Sequence, residues 1–112
     1  MKSSRGQDTQ TVTYEITAIV RDDLCDAYEA YMRDNHIPQL LETGAFAGAS
    51  FSRSFPGRYR VRYEAHNREA LDHYLSNNAP RLREHFAKTF PTGIDVAREE
   101  WEVLARWEEP VT

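Results

Sequence analysis

The chain predicts an α+β fold of βαββαβ order, and three observations carry that prediction. Apolar and polar residues alternate with period two in several stretches, and apolar residues recur at three- and four-residue spacing in two intervening stretches. The plan of strand, helix and strand is also written twice. Tyr31, Asn35 and Pro38 of the first half stand where Tyr74, Asn78 and Pro80 stand in the second, and the first half carries one extra residue at His36-Ile37. A split βαβ repeat of this length predicts a ferredoxin-like sandwich, a four-stranded antiparallel sheet with two broken helices on one face. The other face is left bare, and it is expected to bury itself against a second copy of the chain, giving a homodimer.

Taken in order, Val12, Tyr14, Ile16, Ala18 and Val20 fall on one side of a first strand, with Thr11, Thr13, Glu15 and Thr17 on the other. Asp22 or Asp23 is placed to cap a helix whose apolar face carries Leu24, Ala27, Tyr28, Tyr31 and Met32. Asn35 is expected to stop this helix. Pro38 has no N–H to continue the ladder and begins a separate short helix to Glu42, closed by Gly44. On this reading the helix is broken at His36-Ile37-Pro38 and not merely bent.

The next strand, Ala45 to Phe55, is rich in small residues that allow a close approach to its surface. Pro56-Gly57 marks a turn into a strand where Tyr59, Val61, Tyr63 and Ala65 alternate with Arg58, Arg60, Arg62 and Glu64, so the two are expected to form a hairpin at the centre of the sheet. Asn67 caps a second helix bearing Ala70, Leu71, Tyr74 and Leu75, which Asn77-Asn78-Ala79-Pro80 breaks before Leu82, Phe86 and Phe90. In the last run, Ile94 to about Trp107, apolar parity shifts from Ile94 and Val96 to Trp101, Val103, Ala105 and Trp107, which predicts a bulge, or a strand that bends, near Glu99.

At 112 residues the chain has room for one domain. We expect a disordered lead at residues 1–10, the fold at 11–107 and a tail at 108–112. With 14 basic against 18 acidic residues the net charge is −4, which argues against nucleic acid as a partner. No apolar stretch reaches signal-peptide or bilayer-spanning length, so no membrane partner is expected and the expected location is cytoplasmic. The single Cys25 reads as a small buried or half-buried thiol in a reducing compartment. His36, His66, His73 and His85 lack ligand spacing and the loops are poor in glycine, so no metal and no cofactor are expected.

The candidate site residues follow from chemistry. His36 titrates near neutrality and is the candidate catalytic acid or base; its alternative role is to bond a backbone carbonyl freed at the helix break. Tyr28 and Tyr31, with Tyr63 and Tyr74, fall on the inner faces, where their hydroxyls would orient an aromatic ligand or simply be core. Ser50 lies on the small-residue strand. Arg60 and Arg62, with Arg53 and Arg98, are candidates to line the open face for an oxyanion, unless Glu15, Glu64 and Glu100 neutralise them.

The stretches HIPQLLETGAF, AGASFSR, YRVRYEA and YLSNNAPRLREHF resemble a bacterial family catalogued as a domain of unknown function, over roughly Thr11 to Val103. That family is similar to a branch of the dimeric α/β barrel superfamily, which includes antibiotic-biosynthesis monooxygenases, muconolactone isomerases and stress-response barrel proteins. The resemblance implies sheets that close into a barrel between subunits. It also implies pockets inside that barrel or beneath the broken helices, around His36, Tyr28, Tyr31 and the small-residue strand. The leading expectation is a small-molecule pocket in each subunit, serving a cofactor-independent enzyme on an aromatic or polyketide-like substrate, or a binder of one. The competing expectation is a non-enzymatic interaction or stress-response protein whose open sheet face serves only dimerisation.

Overall fold

The computed structural model describes residues 11–110; the expected lead at 1–10 and the last two residues of the expected tail lie outside the described residues. The alternating run after Thr11 forms strand β1, Val12–Val20. Helix α1, Cys25–Tyr31, a π-helical turn, Met32–His36, and helix α2, Ile37–Glu42, follow. The hairpin is β2, Phe46–Phe55, and β3, Arg58–Ala65. Helices α3, Arg68–Asn77, and α4, Ala79–Thr89, precede β4, Ile94–Glu102.

Among the described residues the four strands form one open antiparallel sheet in the order β2-β3-β1-β4. The hairpin therefore occupies one side of the sheet and β2 is an edge, not a centre strand. β1 inserts between β3 and β4, pairing Val12 with Ala65 on one flank and with Glu102 on the other. The core lies between this sheet and the helices. Tyr14, Ala18, Val61 and Tyr63 supply the sheet side, and Tyr28, Leu40, Leu71 and Leu82 the helix side, all essentially buried. Each such leucine contributes roughly 2 kcal/mol by leaving water.

Three glycines, Gly44, Gly57 and Gly93, hold the positive φ that favours glycine, and the first two shape turns beside the sheet. Gly44 closes α2 at φ +82, and Gly57 holds φ +90 where a Cβ would stand 2.9 Å from the Val20 carbonyl oxygen.

Three local expectations are corrected. Neither Asp22 nor Asp23 caps α1: the chain enters through a 3-10 turn, Asp22–Leu24, after an extended Arg21, and Asp23 takes the Arg21 guanidinium at 2.6 Å instead. β4 pairs with β1 without a register shift, ending at Glu102 short of the expected Trp107; the irregularities lie in β2, between Phe46 and Gly48 and between Arg53 and Phe55. The parity shift in β4 is real but needs no bulge. Ile94 and Val96 keep the helix-side parity, and the later helix-side positions carry Arg98 and Glu100, whose charges reach solvent; Glu100 meets Arg68 at 2.7 Å. Finally, the helix at His36-Ile37-Pro38 is not broken.

Candidate functional site

From Tyr31 through Ile37 the backbone stays helical, with His36 at φ −69, ψ −52 and Ile37 at φ −62, ψ −47. The Ile37 N–H donates to the Met32 carbonyl, five residues back. One residue inserted into an α-helix turns everything after it by about 100°. A π turn takes up the extra residue, so α2 stays in phase and Leu40 remains in the core at 1% exposure. The wider turn also makes space for the Pro38 ring, which in an α-helix collides with the carbonyl four residues earlier.

The π turn sets the half-buried His36 ring against Tyr31 and Phe86, at centroid distances of 5.8 and 5.7 Å. Burial lowers the imidazole pKa to about 4, and the nearby positive charges of Arg98 and His85 act in the same direction. Near neutral pH His36 is therefore an uncharged hydrogen-bond acceptor and a poor proton donor.

Its ring borders a cleft between the helices and the sheet, with a cavity of about 30 Å³, space for one or two water-sized groups. Tyr28, Tyr63 and Phe86 form aromatic walls, and Arg83 and Arg98 stand at the solvent side. Among the described residues, His36 Nδ1 and Tyr63 Oη are buried without a hydrogen-bond partner, as is Gln39 Oε1 away from the cleft. Burial in a nest of phenols, with Tyr74 and Tyr28 close by, pushes the Tyr63 hydroxyl far above its ordinary range, so it stays protonated. Arg83 donates to the Tyr14 hydroxyl at 2.8 Å.

The candidate residues fall into two groups. Tyr28 lines the cleft beside His36, and Tyr31 stands next to it, donating its hydroxyl to His85 Nδ1 at 2.6 Å or accepting from it according to the imidazole tautomer. Ser50, Arg60 and Arg62 lie on the opposite face of the sheet. Ser50 and Arg62 share a hollow of about 360 Å³ beside Gly48, and Arg60 borders another of about 470 Å³ with Glu15 and Glu99. Arg62 is tied to Glu15 at 3.0 Å. Arg98, expected on that open face, borders the cleft instead, and Arg53, which also borders the second hollow, is paired with Glu29 of helix α1 at 3.0 Å.

Arg83 was not among the sequence candidates. Its signal is a charge on the apolar stripe of α4, four residues after Ala79 and three before Phe86. Among the described residues, no group of three or more His, Cys, Asp or Glu side chains is placed to hold a metal ion, and no helix is long and apolar enough to cross a membrane.

Fold and site together define a ferredoxin-like α+β domain with a narrow aromatic cleft between its sheet and its helices. The chain belongs to the family described as Domain of unknown function (DUF4286), whose model matches residues 11–104. No curated protein matches the sequence. Among solved structures, the chain is similar to a protein of unknown function from Nitrosomonas europaea, with TM-score 0.66 and 11% identity over 93% of this chain and 98% of that one. It is also similar to a protein from Shewanella oneidensis, with TM-score 0.62 and 14% identity over 85% and 94% of the two chains. A third, described as a dimeric ferredoxin-like protein from an uncultured marine organism, has TM-score 0.66 and 9% identity over 88% and 99%. At these identities the likeness establishes the fold alone.

Proposed function

We propose that the protein binds a small molecule in the cleft beneath the π turn, with His36 and Tyr63 holding one polar group of it. The observation that carries this reading is the pair of partnerless buried polar atoms, His36 Nδ1 and Tyr63 Oη, on two residues that line one small cavity. An unsatisfied buried polar group costs about 1–3 kcal/mol. Two of them around one cavity suit a ligand group that satisfies both. The cavity admits a single functional group, so the rest of the ligand lies toward Arg83 and Arg98. Catalysis on an aromatic or polyketide-like substrate draws less support, because burial lowers the His36 pKa to about 4, which leaves a neutral imidazole that is a weak base and a weaker acid at neutral pH.

The test is a thermal-shift screen of metabolites on the wild type and His36→Gln. A compound that stabilises only the wild type supports the site. Equal stabilisation of both would remove His36 from it, and stabilisation by none would favour the interaction reading.

That second reading has its own observation. Ile19, Phe55 and Trp101 are 46%, 56% and 50% exposed on the open face, among arginines and glutamates. Apolar surface of this kind suits a homodimer joined through the sheets, and one structural neighbour is described as dimeric. Sedimentation should show a dimer that Trp101→Glu dissociates; a monomeric wild type at micromolar concentration would refute it.

A further inference from the structure

We propose that the cleft takes a small aromatic hydroxy acid, its hydroxyl between Tyr63 and His36 and its carboxylate at Arg83 and Arg98. This rests on the cleft reading above and adds the ligand's chemical class. The chain as a whole carries net charge −4, yet the cleft lining holds two guanidinium groups and no carboxylate. Elsewhere the pattern is different: Arg53, Arg62 and Arg68 each reach a carboxylate at 3.0 Å or less. Among the described residues Arg83 and Arg98 make no ion pair, and they come from different elements, α4 and β4. Both line the same cleft, on the helix side and the sheet side of it. Arg83 is steadied by its bond to Tyr14 and keeps further N–H donors free. Two planar guanidinium groups lining one cleft fit a carboxylate.

The inner end has complementary chemistry. The open Nδ1 of neutral His36 donates or accepts according to its tautomer, and the Tyr63 hydroxyl does both, which matches a ligand hydroxyl and not a second anion. The aromatic lining of Tyr28 and Phe86, packed edge to face at 6.3 Å, gives the ligand ring an apolar surface to lie against on its way from the small inner cavity to the arginines.

The experiment is an amide NMR titration at neutral pH with 4-hydroxybenzoate and with its uncharged isostere 4-hydroxybenzamide. The acid should bind at least about tenfold more tightly, the worth of a charge-assisted contact, with shifts centred on the π turn and on β3 around Tyr63. Arg83→Gln and Arg98→Gln should each abolish the preference, Arg98→Lys should retain part of it, and Arg58→Gln on the open face should leave it unchanged. The amide spectrum of each variant reports directly whether it is folded. Equal binding of the two probes in the cleft would overturn the acid class and leave the cleft reading standing. Failure of both probes to shift the amides around His36 and Tyr63 would overturn both.

Discussion

The first helical segment runs from Cys25 to Glu42 without leaving helical dihedrals, whereas the second stops at Asn77 and restarts at Ala79 through Asn78 at φ −118, ψ −38. Both contain a proline after an asparagine. In the second half Pro80 opens a new helix, where its missing N–H has no partner to lose, and a local break suffices. In the first half one extra residue allows a π turn, and the chain passes Pro38 without stopping. The difference lies in what each device leaves behind. The break in the second half only redirects the chain, but the π turn brings an imidazole over the sheet and leaves one of its nitrogens buried without a partner. Such turns occur often at functional sites, and here it borders the cleft.

The strongest way to break this comparison is to delete Asn35, an exposed residue of the π turn. The turn should collapse to α-helix with Leu40 still in phase, and Pro38 would then stand in a regular helix interior. The expected loss is about 3 kcal/mol in urea unfolding, with most of it restored when Pro38→Ala is added. Pro80→Ala in the second half should cost little. A deletion variant as stable as the wild type would show that the extra residue is not what accommodates the proline.

A second effect of similar size separates the halves by pH. The folded His36 titrates at about 4, below its ordinary 6.5, so the unfolded chain takes up a proton that the folded chain refuses. Stability is then full above pH 6.5 and falls as pH drops from there through about 4, by on the order of 3 kcal/mol. In His36→Gln this part of the slope should vanish, measured as the difference between the two proteins across pH 4 to 7. Identical slopes would mean that the imidazole is hydrated in solution.

Much of this was legible from local chemistry. The alternation in β1 and β3, the Pro56-Gly57 turn and the Asn67 cap are read from neighbouring residues and hold in the structure. The extra residue at His36-Ile37 was legible too, but its form was not. Proline read as a breaker because a breaker is what it is in an α-helix, and sequence spacing does not show a ladder slipping to five residues. Arg98 was assigned to the wrong face for a related reason. A charge among Ile94 and Val96 suggests a change of parity unless the helix cover is known to end there. Arg60 and Arg62 alternate with Tyr59, Val61 and Tyr63 and so face away from His36 and Tyr28, a separation that the period of the strand already dictates. A lone arginine on a helix reads as solvated, so Arg83 is not legible in the sequence; only its bond to the Tyr14 hydroxyl on the sheet reveals that it turns toward the cleft.

The smallest contrast between the halves is at the helix N-termini. Asn67 accepts the Ala70 N–H through Oδ1 at 2.7 Å, satisfying a donor that the first turn of α3 leaves open. Asn67→Ala should therefore lower stability by about 1 kcal/mol. Asp22 and Asp23 resemble caps equally well in sequence, but Arg21 holds the extended position before the turn and no side chain caps it. Asp22→Ala and Asp23→Ala should each leave the unfolding midpoint unchanged, since the Arg21–Asp23 pair is fully exposed and screened by solvent. A loss at Asp23 matching that at Asn67 would mean that the aspartate caps the first helix in solution and that the two halves begin their helices alike.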